Sequence, residues 1–144
     1  MVIRRPLPDE LPAITTLVRS IVAESFPGAS PADIERVGAE DWSPGWIAVD
    51  DDGSIAGVTL ITEEWIDDLW VAASHRSHGV GALLLAHAEV QIAALGHPEA
   101  RLRVVAANTA ARKFYTQHGY TVAREFDHER FKDRKMVEFE KKLG

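Results

Sequence analysis

The chain has 144 residues and a mass of 15.9 kDa, which fits one domain over residues 1–144 with a real core. Sixteen Lys and Arg against 22 Asp and Glu leave a net charge of −6, which speaks against the basic footprint of a nucleic-acid binder. The absence of Cys excludes disulfides, thiolate zinc sites and a Cys nucleophile.

Residues 2–5 read as a short strand. Asp9 is expected to cap a helix that carries Pro12 in its first turn. Leu11, Ile14, Leu17, Val18, Ile21 and Val22 follow the spacing of an amphipathic helix. Pro27 and Gly28 end it. Ser30-Pro31-Ala32-Asp33 has the form of a capped helix start, with Ile34 and Val37 on the buried side. Residues 46–49 and 55–62 are rich in β-formers and flank Asp50-Asp51-Asp52-Gly53-Ser54, a hairpin signal. Residues 65–72 continue as an antiparallel strand. Residues 79–95 form the longest helical stretch, with Val80, Leu84, Ala88, Ile92 and Leu95 on one face and Gly96 and Pro98 as a stop. Residues 101–105 are a strand, Asn108 caps a helix that runs to His118, and residues 120–126 and 135–140 close the chain as strands.

This order predicts an α/β (mixed α+β) fold. A single mixed, mostly antiparallel sheet of about seven strands is flanked by about four helices. The passage from 65 to 105 should be a right-handed parallel crossover. Arg4 and Arg5 are not followed by an apolar run, so the N-terminus does not read as a signal peptide. The longest apolar stretch, residues 79–86, is far below the ~20 residues of a membrane span. A cytoplasmic protein with no membrane partner is the expectation.

Charge is sorted along the chain. Residues 40–70 carry nine acidic side chains and no basic one, whereas residues 71–144 carry 12 basic and 8 acidic. Either these are solvated loops, or one region faces an anion and the other a cation. Within the basic region, His75-Arg76-Ser77-His78-Gly79-Val80-Gly81 joins a strand to a helix. Glycines there let a backbone approach a ligand, and free N–H groups at a helix start favour an anion. A Walker A loop would need Lys after Gly81, and a Rossmann fingerprint would need Gly or Ala where Leu84 stands. Tight helix packing is the alternative use of these glycines.

Farther on, Asn108, Ala111, Phe114, Tyr115, Gly119 and Tyr120 form a compact pattern, N-x-x-A-x-x-F-Y-x-x-x-G-Y. With Arg76-x-x-Gly79-x-Gly81 before it, the chain resembles the GNAT-type N-acetyltransferase superfamily. The resemblance covers nearly the whole chain and includes the order of elements. Two departures stand out: Ala73 where members often carry Pro, and Ser77 where they often carry Gly. It implies a single N-acetyltransferase domain with splayed central parallel strands, and acetyl-CoA as co-substrate. It implies transfer to an amine of a small molecule or a peptide. Cofactor contacts would come from Leu69 and Val71 on the strand, from Arg76, Ser77, His78, Gly79, Val80, Gly81 and Ala82, and from Asn108 and Tyr115. Tyr115 matches the family's general acid.

A carboxylate, or a water held by one, is the usual recipient of the amine proton. Asp67, Asp68 and Glu64 are the candidates, and strand alternation puts Asp67 with Leu69 and Val71, opposite Asp68 and Trp70. Asp67 is preferred. The acidic segment suits a cationic acceptor. Phe26, Trp42, Trp46, Trp65 and Phe131 are candidates for the acceptor pocket's walls. His75 and His78 lack a third ligand in the sequence, so no metal is expected. Homodimers are common among relatives, although no residue here specifies one. The competing expectation is a catalytically silent acyl-CoA-binding or regulatory module.

Overall fold

The computed structural model describes residues 1–129 and 134–144, so Phe131 lies outside the described residues. Among the described residues, seven strands are joined in one mixed sheet in the order β1-β2-β3-β4-β5-β7-β6. They are β1 (Val2–Arg4), β2 (Trp46–Val49), β3 (Ile55–Thr62), β4 (Trp65–Val71), β5 (Glu99–Val105), β6 (Thr121–Asp127) and β7 (Lys135–Lys142). The helices are α1 (Leu11–Ser25), α2 (Pro31–Gly38), α3 (Val80–Ala94) and α4 (Thr109–Gln117). No described helix is long and apolar enough to cross a membrane. The residues cluster into two compact units. The first comprises Met1–Leu60 and Asp68–Ala88; the second comprises Ile61–Asp67 and Glu89–Gly144.

In the first unit, β2 pairs antiparallel with both β1 and β3. The aspartate-rich turn closes the β2–β3 hairpin as predicted. Asp50 N donates to Ser54 O at 2.8 Å, Gly53 N to Asp50 O at 2.9 Å, and Gly53 takes the left-handed φ of 86° that the turn requires. Two apolar clusters hold the helices. Ile14, Val18 and Val22 of α1 pack with Trp42, Ile47, Val49 and Val58, and Ile34 and Val37 of α2 lie against them. Val80 and Leu84 of α3 pack with Ala48 and Ala56, against Leu69 and Val71. Trp70 belongs to the first cluster and its strand neighbours to the second, which is the alternation expected of β4.

Close approach of α3 depends on Gly57. A Cβ there would lie 2.7 Å from Trp70 O and 2.9 Å from Leu84 Cδ1. The Ser30–Asp33 capping box is formed, with Asp33 N donating to Ser30 Oγ at 3.1 Å.

In the second unit, β5 pairs antiparallel with β7 from Glu99↔Lys142 to Val105↔Met136, and β7 pairs antiparallel with β6. β4 enters this unit in parallel with β5 at Trp65↔Arg101. Ala100, Leu102, Tyr115, Tyr120, Val137 and Phe139 are buried, with Tyr115 ring centroids 5.6 Å from Tyr120 and 6.3 Å from Phe139. Tyr120 OH donates to Glu89 Oε2 at 2.7 Å, and Lys141 Nζ donates to Glu89 Oε1 at 3.1 Å.

Three expectations are corrected. Asp9 does not cap α1. The chain enters the helix through a 3-10 turn over Pro8–Glu10, in which Glu10 Oε1 accepts from Leu7 N at 2.8 Å, so Asp9 lies inside the turn. Leu95 is 57% exposed rather than part of the buried face, because α3 ends at Ala94; Leu85 is buried instead. Trp42 is core at 1% exposure and walls no pocket.

Candidate functional site

The residues singled out from the sequence fall on both units, and each set has a defined setting. In the first unit, β4 ends at Val71, and Ala72 N donates to Ala56 O at 2.8 Å, tying the strand end to β3. A 3-10 turn over Ala73–His75 follows. His75 anchors it: Nε2 lies 2.8 Å from Asp50 Oδ2, and Nδ1 lies 2.9 Å from Ser74 Oγ. The imidazole holds the Asp50 carboxyl below the usual carboxylate range. Both His75 nitrogens are therefore engaged, and among the described residues no cluster could hold a metal ion.

The loop then turns through two left-handed residues, Ser77 at φ 67° and Gly79 at φ 80°. A Cβ on Gly79 would meet nothing within 4 Å, so glycine is needed there for its backbone conformation, not for space. Ser77 adopts the same region without that freedom, at about 1–2 kcal/mol of strain. The departure at Ser77 therefore costs the loop through φ and leaves its N–H in place. α3 begins at Val80, with Leu83 N donating to Gly79 O at 3.0 Å. Among the described residues, the backbone N–H groups from Ser77 to Ala82 have no protein acceptor. Residues 76–79 are exposed. Arg76 reaches Glu24 Oε1 at 2.5 Å in an ion pair that is 41% and 55% exposed, worth little and easily exchanged. A run of free donors at a helix start beside an exchangeable guanidinium fits a polyanion such as a pyrophosphate.

In the second unit, Asn108 Oδ1 accepts from Ala111 N at 3.1 Å and so caps α4. Tyr115 projects from α4 into the aromatic cluster and is 7% exposed, with Phe114 edge-on at 5.2 Å. The three candidate acids differ sharply in setting. Asp67 is exposed, and Thr62 Oγ1 donates to its Oδ2 at 2.5 Å. Asp68, on β4 in the first unit, is 8% exposed, and Trp70 Nε1 donates to its Oδ1 at 2.9 Å. Glu64 lies 3.5 Å from His97 Nδ1. Asp67 also lines a cavity of about 350 Å³ with Thr62, Trp65, Ile66 and Arg103.

Of the aromatic residues proposed as pocket walls, Trp65 lines this cavity. Trp46 instead lies under the Arg5 guanidinium at 3.9 Å and edge-on to His87 at 4.3 Å, and Phe26 packs on the α1 cluster. Sequence reasoning missed Arg103, whose guanidinium lies 4.3 Å over the Trp65 ring. The sequence carried no signal for this: only the register Trp65↔Arg101, which the structure shows, puts position 103 on the face of Trp65 and Asp67.

Comparison with known proteins adds the following. The family model of the acetyltransferase (GNAT) family matches residues 15–120. No curated protein matches the sequence. Among solved structures, the chain is similar to apo-form YjaB from Escherichia coli (22% identity, all of both chains, TM-score 0.80). It is similar to the PaiA N-acetyltransferase from Thermoplasma acidophilum in complex with coenzyme A (21% identity, 99% of this chain and 98% of that one, TM-score 0.80). It is also similar to Ard1 from Thermoplasma volcanium (18% identity, 99% and 97%, TM-score 0.74).

Proposed function

Because the chain belongs to the acetyltransferase (GNAT) family, and is as such an acetyl-CoA-dependent N-acetyltransferase, we propose that it acetylates a primary amine that arrives as a cation. In this reading Asp67 accepts the amine proton and Tyr115 donates a proton to the leaving sulfur. The observation that carries it is the loop from Arg76 to Ala82, with its unpartnered N–H groups, left-handed turns and exchangeable Arg76.

Acetyl-CoA, when bound, supplies the activated acetyl group as a thioester. The loop residues Arg76, Ser77, His78, Gly79, Val80, Gly81 and Ala82 would hold its pyrophosphate by backbone N–H groups and one guanidinium. The backbone of Leu69 and Val71 would align the pantetheine arm, and the Val71 N–H would donate to the thioester oxygen as charge develops there. Asn108 would keep its capping bond while touching the cofactor.

An alkylamine is mostly ammonium at pH 7, with a reference pKa of about 10, so it must lose a proton before it can attack. Support for Asp67 comes from its exposure in a cavity, with Thr62 orienting one oxygen and leaving the other available. Asp68 is buried with Trp70 bonded to it, and Glu64 sits beside His97. The acidic stretch of residues 40–70 favours approach of a cation.

Calorimetric titration with acetyl-CoA tests the reading. Heat with a one-to-one stoichiometry is expected, and no heat at millimolar ligand refutes it. On an acceptor found by an amine panel, Tyr115→Phe should lower kcat by ~10²–10⁴-fold. An unchanged kcat removes Tyr115 from the mechanism, and binding without transfer to any amine marks a silent acyl-CoA-binding module.

A further inference from the structure

One face of the second unit's sheet carries an unusual set of side chains. Trp65 stands on β4, Arg101 and Arg103 on β5, Glu138 and Glu140 on β7, and Arg124 and Phe126 on β6. Glu138 is 6% exposed and collects Arg103 Nε at 3.5 Å, Arg124 Nε at 3.3 Å and Arg101 Nη1 at 3.5 Å. Arg101 is further paired with Glu99 at 2.7 Å and Glu140 at 3.0 Å, so its charge is answered locally. Arg124 lies 4.3 Å over the Phe126 ring.

Arg103 shares that arrangement with Arg124 but, unlike it, lines a cavity with Asp67. Its guanidinium lies 4.3 Å over the Trp65 ring, and its Nε lies 3.5 Å from Glu138 Oε1. Among the described residues, neither of its terminal nitrogens has a hydrogen-bond partner. Among the described residues the fork of donors that matches a planar carboxylate is therefore unused. Arg103 and Asp67 line the same cavity of about 350 Å³, yet they do not pair with each other. Opposite charges kept apart in a cavity at the small end of ligand-pocket size match a small molecule carrying both signs. Arg103 and Arg124 against Glu138 and Asp67 sum to no net charge, which suits one carboxylate and disfavours a phosphate dianion.

We propose that Arg103, stacked on Trp65, is the specificity-determining residue of the acceptor subsite, and that the acceptor is an amine bearing a carboxylate. The ammonium faces Asp67, and the carboxylate takes the two terminal nitrogens of Arg103. This rests on the reading of Asp67 as the acceptor-side acid. It deepens that reading by making the cationic amine one end of a zwitterion.

The test is equilibrium binding to the full chain, followed by calorimetry. The probes are α-, β- and γ-amino acids, each paired with its own carboxamide, with 2-aminoethyl phosphate and inorganic phosphate alongside. At least one acid should bind about 10-fold or more tightly than its amide, the value of a charge-assisted bond. In Arg103→Gln that preference should fall to near unity, and Arg103→Lys, which keeps the charge without the fork, should retain part of it. Absence of an acid-over-amide preference in every pair overturns the proposal. So does a preference that survives in Arg103→Gln, or tighter binding of either phosphate. The acetyl-CoA titration is read separately. Acetyl-CoA binding without the acid preference refutes only the subsite, and the acid preference without acetyl-CoA binding refutes only the transferase reading.

Discussion

Replacing Gly57 by Ala probes how the strand pair beneath α3 sets the end of the Arg76–Ala82 loop. The added methyl would lie 2.7 Å from Trp70 O, 2.9 Å from Leu84 Cδ1 and 3.3 Å from Val80 Cγ1, where ordinary contact begins at 3.4 Å. The side chains of Leu84 and Val80 are already fully packed, at 0% and 1% exposure. The Trp70 carbonyl cannot withdraw freely. On one side of it Ala72 N is bonded to Ala56 O at 2.8 Å, and on the other Thr59 Oγ1 donates to Asp68 O at 2.8 Å. Overpacking of this kind costs about 1–3 kcal/mol. The smaller conformational freedom of Ala in the unfolded chain returns about 0.4–1 kcal/mol. The net loss is then on the order of 1–2 kcal/mol, or a fall in Tm of roughly 3–7 °C for a domain of this size. Urea and thermal unfolding measure it. Because Val80 opens α3 directly after the loop, acetyl-CoA affinity should weaken as well. Gly28→Ala is the control: its Cβ would meet nothing within 4 Å, so only the unfolded-chain gain remains and stability should rise by about 0.4–1 kcal/mol. A Gly57→Ala protein that melts with wild type would refute the reasoning, since it would mean that strand and helix yield without cost.

Two further outcomes are expected. Ser77→Gly should raise stability by up to about 1 kcal/mol in urea, the relief of the left-handed strain less the extra freedom of Gly when unfolded; Ser77→Val should lower it. Tyr120→Phe should lower stability at pH 7 by about 1.5–3 kcal/mol, because Glu89 loses the hydroxyl and keeps only Lys141. Burial first, then the bond to the Glu89 carboxylate, pushes the Tyr120 phenol well above its ordinary value. A raised folded value means that the contribution is complete below the unfolded value of about 10 and is lost as pH rises past it. Unfolding measured from pH 8 to 11 should show an alkaline decline that is shallower in Tyr120→Phe; an identical decline refutes the link.

Local chemistry in the sequence determined most of the elements and their order. The i, i+3, i+4 stripe of α1, the Ser30 and Asn108 caps, the aspartate-glycine turn and the glycines beside α3 act within a few residues, so each is readable where it stands. The two motifs placed the loop and Tyr115 in the right elements. Contacts between residues distant in the chain were not readable in this way. The burial of Trp42, the clash awaiting any side chain at Gly57 and the left-handed Ser77 follow from how strands and helices meet. The same holds for the acids. Sequence alternation separated Asp67 from Asp68, but only the fold covered one and left the other lining a cavity with Arg103. Trp65 and Arg103 are 38 positions apart and meet because β4 and β5 align in parallel at Trp65↔Arg101. Caps and periodicity are short-range properties of one segment, whereas register and burial depend on which segments become neighbours.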